Sequence, residues 1–257
     1  MRLIDLPLWL LLAACFCTCA ADAPVAEAEQ PTAEGVIRRA VAVHGMEALN
    51  GVDMAFRFRE RDYTIRLDGG TYQYTRSFTD STGALVRDEL RNDGLTRYRD
   101  GEAVSLTPKD SAAYAESVNS VRYFFLLPYG LLDPAVNAEL LDTTVLGGNV
   151  YDRIRVTFDR VGGGSDYEDV YHYFFDRESG ELDYLAYTFL ADDGGIRFRK
   201  AVNQRRVGGV LTQDYVNYGL DGNDRDIEHA AARYRAGELP ELSRIENTSV
   251  RIERAGR

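Results

Sequence analysis

The chain has 257 residues and a net charge of −11, and 45% of its residues are hydrophobic. Almost all of its positive charge is arginine, because lysine occurs only at Lys109 and Lys200. An acidic surface of this kind argues against a nucleic-acid partner, since phosphate backbones attract clustered positive charge. The length predicts one substantial domain with a single core.

The first residues have the pattern of a bacterial lipoprotein export signal. Arg2 precedes the apolar residues 6–14, and Leu12-Ala13-Ala14-Cys15 matches a lipobox. The apolar run is far shorter than the roughly 20 residues that cross a bilayer as a helix, which favours removal of the segment. We therefore predict a lipoprotein signal peptide over residues 1–14 and a lipid on Cys15. The alternative is an ordinary signal peptide that is cut after Ala20.

Residues 15–31 are predicted to form a lipidated flexible tether, because they contain few side chains that pack into a core. No cysteine follows Cys17 and Cys19, so we expect no disulfide in the folded part of the chain. The folded domain is predicted over 32–257.

The domain begins with a predicted helix and continues in strands. Thr32 is a candidate N-cap, apolar residues follow at helical spacing, and Gly45 ends the helix. Short segments then alternate apolar and polar residues between Gly, Asp and Asn, which is typical of antiparallel strands. The clearest hairpins pair 170–175 with 182–189 and 196–207 with 210–218.

The second of these hairpins has a two-residue turn at Gly208-Gly209. Such a turn predicts that Asn203 lies opposite Asp214 and that Arg199 lies opposite Tyr218. These four side chains and Arg197 are then expected on one face of the sheet.

The strand pattern is interrupted midway by apolar and helical segments. Residues 108–119 predict a short helix, and the apolar run 118–132 contains Pro128, which prevents one continuous helix. A further helix is predicted over 226–235 and a last strand over 245–254. The order predicts an α+β fold, a curved antiparallel β-sheet half-barrel wrapped around an apolar helical insert, with an N-terminal helix.

Several segments resemble a family of bacterial lipoproteins known as domain of unknown function six-five-zero-three. They are NSVRYFFLLPYGLLDPAVN (119–137), DYLAY (183–187), RFR (197–199) and QDYVNY (213–218). The resemblance implies no activity, since that family has none assigned. It implies an architecture similar to the half-barrel of outer-membrane lipoprotein carriers and receptors, and AVHG at 42–45 is similar to the first helix of carrier-like proteins.

The three histidines are the first candidates for acid–base or metal chemistry. His44 is expected to cap carbonyl groups at a helix end and to interact with the helix dipole. His172 lies between Tyr171 and Tyr173 in a strand and faces away from both, as a satisfied core or wall residue or as a catalytic one. His229 is expected in solvent.

No recognisable motif assigns a catalytic residue, a cofactor or a metal site. The glycine-rich segment 162–169 carries three carboxylates but lacks the spacing of known calcium loops, so we interpret it as a hairpin loop. No Gly-x-Ser-x-Gly elbow or phosphate-binding Gly-Lys-Ser/Thr motif is present.

The candidate ligand-binding residues come from the apolar run and from the strands beyond it. In one interpretation the run fills the core, and in the other it is a lid over a ligand site. The arginines either form an exposed charge ladder or recognise an anionic head. The candidates are Tyr123, Phe124, Phe125, Leu127, Tyr129, His172, Arg197, Arg199, Asp214 and Tyr218.

We therefore predict an exported lipoprotein that binds or shuttles a lipid or other hydrophobic ligand in the cell envelope. Its partners are the membrane, through the lipid on Cys15, and that ligand. We expect the periplasmic side, with outer-membrane anchoring. One alternative is a hydrolase-like envelope enzyme that uses His172 with Asp169 or Asp214, and another is a non-catalytic envelope scaffold.

Overall fold

A computed structural model describes residues 31–47, 49–164, 167–190 and 194–254. The predicted signal peptide, Cys15 and nearly all of the tether lie outside the described residues. Pro31–Arg257 forms one compact unit. Within the described part of the chain, no helix is long and apolar enough to cross a membrane.

The first helix, α1 (Ala33–Val43), begins where the capping pattern predicts it. The Thr32 hydroxyl accepts a hydrogen bond of 3.0 Å from the Gly35 amide, which satisfies one of the free amides of the first turn. The chain turns away at Gly45, whose φ is +70° and whose position abuts the Gly209 carbonyl, so a side chain has no space there. The buried face of α1 consists of Val36, Ile37, Ala40 and Val41.

The first sheet contains seven antiparallel strands in the order β14-β1-β2-β3-β4-β5-β6. Consecutive strands pair directly, as expected for hairpins joined by short turns. The strands are β1 (Val52–Phe58), β2 (Arg61–Asp68), β3 (Thr71–Thr79), β4 (Leu85–Arg91), β5 (Gly94–Arg99), β6 (Glu102–Val104) and β14 (Thr248–Arg254).

The second sheet also contains seven antiparallel strands, in the order β13-β12-β11-β10-β9-β8-β7. The chain passes from β13, at the edge of this sheet, to β14 of the first sheet through residues 246–247. The predicted last strand over 245–254 forms as β14 and begins three residues later, at Thr248, whereas β13 was not predicted. The strands are β7 (Val136–Leu146), β8 (Asn149–Phe158), β9 (Tyr171–Asp176), β10 (Leu182–Phe189), β11 (Gly195–Val207), β12 (Val210–Asp221) and β13 (Glu241–Ile245).

The helical insert contacts both sheets, as the predicted half-barrel requires. It consists of α2 (Pro108–Phe125) and a 3-10 helix over Tyr129–Leu132. The Phe125 ring stacks on Phe56 of the first sheet at 3.9 Å, and the Tyr123 hydroxyl bonds to Tyr173 of the second. The fold class is confirmed. The predicted end of α2 at residue 119 is wrong, because the helix continues into the apolar run and stops shortly before Pro128.

A second apolar layer covers the opposite face of the second sheet. Its helix, α3 (Ala230–Ala236), is shorter than the predicted 226–235, since residues 226–229 form a turn in which the Asp226 side chain accepts from the His229 amide. The Tyr234 ring stacks on Phe198 at 4.4 Å. The second sheet is therefore packed on both faces.

The predicted register of the β11–β12 hairpin is wrong by one residue. The Gly208-Gly209 turn forms, but a β-bulge between Val202 and Arg205 adds one residue to β11. Asp214 consequently pairs with Val202, Tyr218 with Phe198, and Asn217 with Arg199. Because neighbouring residues of a strand point to opposite faces, this shift separates Tyr218 and Asp214 from Arg199.

Candidate functional site

A cavity of about 610 Å³ lies between the C-terminal half of α2 and the inner face of the second sheet. Nine aromatic residues line it, together with eight charged or amide residues. The aromatic residues are Phe58, Tyr123, Phe124, Phe125, Phe158, Tyr171, Tyr187, Phe189 and Tyr215, and the charged or amide residues are Arg59, Glu116, Asn119, Arg122, Asp133, Asp169, Arg199 and Asn247.

The aromatic wall follows from the alternation of β9 and β10. Tyr171 and Tyr187 are register partners on adjacent strands, and their rings stack with centroids 5.5 Å apart. Phe158 packs edge-on against Tyr171 at 5.6 Å, and Phe124 of α2 lies 5.6 Å from Tyr187. Ring contacts at these distances hold the wall in a defined shape.

The hydroxyls of Tyr123 and Tyr215 are neutral groups of the cavity. Burial raises the pKa of Tyr123 well above its usual value, although the hydrogen bond from Tyr173 opposes part of that effect. Burial also raises the pKa of Tyr215 to about 12. These residues therefore supply apolar surface with neutral hydroxyl groups.

Arg199 is a positively charged residue of β11 that lines the cavity. Its side chain donates to the Tyr187 hydroxyl at 2.8 Å and to the side-chain oxygen Oδ1 of Asn217 at 3.4 Å. The guanidinium lies 4.0 Å from the Phe124 ring centroid, and the residue is only 9% exposed. No carboxylate of the described residues lies within 4.0 Å of this guanidinium, whereas Arg197 on the same strand pairs with Asp221 at 2.6 Å.

Arg122 and Asp133 are a second group of charged residues that line the cavity. Arg122 donates to Asn119 at 2.6 Å, and its guanidinium lies 5.1 Å from the Tyr74 ring centroid. Burial raises the pKa of Asp133, and the nearby charge of Arg122 counteracts the shift. The Arg122 Nε is buried and has no hydrogen-bond partner among the described residues.

Four of the ten predicted ligand-binding residues line this cavity. They are Tyr123, Phe124, Phe125 and Arg199. Leu127 is 2% exposed within the main core, and Tyr129 is partly buried against that core.

The sequence predicted that Arg197, Asp214 and Tyr218 lie with Arg199 on one face of the sheet, but these residues do not form such a cluster. The Arg197 guanidinium lies over the Phe189 ring at 4.4 Å. Asp214 accepts hydrogen bonds from the Asn203 side chain at 3.2 Å and from the Asn247 backbone N–H at 2.9 Å. Tyr218 packs on Tyr234 beneath α3, on the face opposite Arg199. The β-bulge in β11 is the physical reason for this correction.

His172 also lies on the face away from the cavity. Its ring is completely buried, and its Nε2 is 3.5 Å from a Glu228 carboxylate oxygen. Burial, with the charges of Arg153 and Arg155, lowers the pKa of His172 to about 4. The expected core position is therefore found, but the ring nitrogens have no hydrogen-bond partner among the described residues.

The proposed pairing of His172 with an aspartate does not match these positions. Asp214 lies on β12, three strands from β9 in the sheet order, which is roughly 14 Å at the usual strand spacing. Asp169 lines the cavity on the other side of the sheet.

The expectation that the His44 side chain caps carbonyl groups at the end of α1 is wrong. The residue ends α1, but its Nε2 accepts a hydrogen bond from the Leu182 amide at 3.1 Å. Burial lowers the pKa of His44 to about 4. A neutral acceptor of this kind does not provide the charge–dipole interaction that we expected.

The sequence model of a family of unknown function, DUF6503, matches residues 10–247. The chain belongs to this family. No curated protein is similar enough in sequence to count as a match.

Solved structures show weak overall similarity to this member of the family. A LolA superfamily protein from Nitrosomonas europaea has a TM-score of 0.47 and 8% identity, over 86% of this chain and 94% of that one. A DUF1329 family protein from Desulfovibrio piger has a TM-score of 0.42 and 10% identity, over 86% and 93%. The lipoprotein LppX of Mycobacterium tuberculosis has a TM-score of 0.28 and 15% identity, over 69% and 91%. At these scores, none of the similarities determines a ligand or an activity.

Several cavity residues were missed by sequence reasoning, above all Tyr187, Tyr171 and Phe158. Tyr187 follows Leu185 at a spacing of two, and the 170–189 hairpin pairs it with Tyr171. The register of this hairpin could have indicated that Tyr187 and Tyr171 lie side by side on one face. The described residues contain no group of three or more His, Cys, Asp or Glu side chains arranged to hold a metal ion.

Proposed function

We propose that this protein binds an apolar ligand in the cavity beside α2, as a lipid-anchored component of the bacterial cell envelope. The observation that carries the proposal is the aromatic cavity of about 610 Å³. Small-molecule sites are mostly apolar clefts of about 300–1,000 Å³ with a few polar groups that set the orientation. The volume suits a single acyl chain or a molecule of similar size.

The cavity supports ligand binding over a purely structural interior. Packed cores of proteins contain few voids larger than a water molecule. Here the Tyr171 and Tyr187 rings stack on the sheet and Phe124 of α2 contacts Tyr187, yet a space of about 610 Å³ remains beside them. A scaffold with no ligand has no need of this space.

The envelope location rests on the lipobox at Leu12-Ala13-Ala14-Cys15. The tether from Cys15 to residue 30 gives a reach of roughly 20–25 Å for a flexible chain. The domain then works close to the membrane that anchors it. Transfer of the ligand between membranes, with anchoring in the outer membrane, is the more specific form of this proposal.

Fractionation tests the anchor directly. Cys15→Ala is expected to move the protein from the membrane fraction to the soluble fraction, while Cys17→Ala leaves it in the membrane fraction. Retention of Cys15→Ala in the membrane fraction would contradict lipid anchoring at this cysteine.

Native mass spectrometry with lipid extraction tests ligand binding. Protein purified from the cell envelope is expected to carry a bound species that is released on denaturation. Val136→Trp projects a large ring into the cavity and is expected to lose that species. Leu242→Trp, at an exposed position of β13, is the matched control and is expected to keep it. Absence of a bound species in the wild type and in Leu242→Trp would count against the proposal.

A further inference from the structure

Arg199 differs from its neighbours on β11 in its charge balance. Arg197 pairs with Asp221 at 2.6 Å, and Arg205 pairs with Asp214 at 3.3 Å. Arg199 is 9% exposed, and no carboxylate within the described ranges forms an ion pair with it. This is unexpected in a chain with 41 acidic and 30 basic residues.

The neutral groups around Arg199 orient it but do not balance its charge. The guanidinium has five N–H donors, and hydrogen bonds to Tyr187 and Asn217 use two of them. The Phe124 and Tyr187 rings lie 4.0 Å and 5.2 Å from its central carbon. Such cation–π contacts stabilise the position of the charge and leave three donors for another partner.

The position of Arg199 in the cavity indicates which chemical group can bind its remaining donors. A buried cation is costly unless it is paired, and the planar arginine fork matches the oxygens of a carboxylate or a phosphate. The aromatic wall of Tyr171, Phe158 and Phe124 lies in the same cavity and offers an apolar surface beside the charge.

We propose that the ligand is an anionic amphiphile, whose carboxylate or phosphate group pairs with Arg199 while its apolar tail lies along the aromatic wall. This inference rests on the proposed function. It adds that the ligand carries a negative charge and that Arg199 determines the preference for it.

Competition binding on the full chain tests the preference. Lauric acid, dodecyl phosphate and dodecanol share one tail length and differ in the head group, and each is titrated against bound N-phenylnaphthylamine. The wild type is expected to bind one or both anions at least tenfold more tightly than the alcohol, as loss of a charge-assisted hydrogen bond implies. The two anions distinguish a fatty-acid ligand from a phosphate-bearing lipid.

Substitutions assign the preference to one residue. Arg199→Gln is expected to lose the tenfold preference and to keep dodecanol binding, which shows that the cavity is intact. Arg199→Lys is expected to keep part of the preference because it keeps the charge. Arg197→Gln is the matched control on the same strand, outside the cavity and with its own carboxylate partner, and is expected to behave as the wild type.

The outcomes separate this inference from the proposed function. If the wild type binds all three compounds equally, the anionic preference is wrong although the apolar site stands. If it binds none of them, the proposed function fails for single-chain ligands. If Arg199→Gln keeps the preference, another group recognises the anion and the assignment to Arg199 is overturned.

Discussion

The hydroxyls of Tyr123 and Tyr173 lie 2.7 Å apart and join α2 to β9 inside the core. Tyr173 is fully buried, so its hydroxyl has no access to water. This bond fixes the part of α2 that forms one wall of the cavity. A hydroxyl that loses its partner in such a place is expensive to bury.

We predict that Tyr123→Phe lowers the free energy of unfolding by about 1–3 kcal/mol, because it leaves the Tyr173 hydroxyl unpaired. Tyr173→Phe has a similar effect on Tyr123. The double variant is expected to lose less than the sum of the two single losses, since no unpaired hydroxyl remains. Urea denaturation of the four proteins measures this coupling, and strictly additive losses would contradict it.

The inner face of the first sheet carries a buried charge cluster under the middle of α2. Asp88 is completely buried and accepts hydrogen bonds from Arg76 at 2.5 Å and from Arg97 at 2.6 Å. Arg76 also donates to Ser117 of α2 at 2.6 Å, and the Arg97 guanidinium lies 3.5 Å from the Tyr114 ring centroid. The cluster therefore connects the sheet to the helix.

Asp88→Asn is expected to destabilise the protein by about 3–5 kcal/mol, because it leaves two guanidinium groups without their buried counter-charge. Asp53→Asn is the matched control, since Asp53 pairs with Arg66 at an exposed site. Its cost is expected to be at most about 1 kcal/mol. Chemical denaturation compares the two variants, and equal losses would show that burial of the cluster has no energetic role.

His172 predicts a pH dependence of stability. Its pKa in the folded protein is about 4, compared with 6.5 for an ordinary histidine. As the pH falls from 6.5 to about 4, the unfolded chain therefore binds a proton that the folded chain does not. Stability is lost over this window, by up to about 3 kcal/mol, and the contribution is constant below it.

His172→Phe is expected to be at least as stable as the wild type at neutral pH, because it removes two ring nitrogens that have no hydrogen-bond partner among the described residues. It is also expected to lose less stability on acidification. Denaturation at neutral pH and at about pH 5 measures the difference, since the linkage depends on proton uptake by the unfolded chain. An unchanged loss in the variant would exclude His172 as its source.

Local patterns in the sequence were sufficient for most elements of the fold. Thr32 caps the start of α1, Gly45 ends it, and Gly208-Gly209 forms the turn between β11 and β12, and each of these features depends only on neighbouring residues. The end of α2 depended instead on tertiary contacts. Phe125 completes the helix by stacking on Phe56, a residue far away in the chain.

The candidate site was less predictable because its geometry depends on register. One inserted residue in β11 places Arg199 and Tyr218 on opposite faces of the sheet, with Arg199 at the cavity and Tyr218 beneath α3. The alternation of β9 and β10 places Tyr171 and Tyr187 on one face of the sheet, but it does not show whether the space beside that face is filled or hollow. That depends on the summed side-chain volumes of two sheets and a helix.

The β-bulge itself gives the last prediction. Asn203 has a φ of +51°, a left-handed conformation that asparagine and glycine tolerate better than other residues. Its side chain also donates to Asp214 at 3.2 Å. We predict that Asn203→Val lowers the free energy of unfolding by about 1–2 kcal/mol more than Asn203→Gly, because only valine has the branched side chain that strains this backbone.

Both variants lose the bond to Asp214, so their difference in urea denaturation isolates the backbone effect. Equal stabilities would mean that the bulge is not maintained by the conformation of this residue.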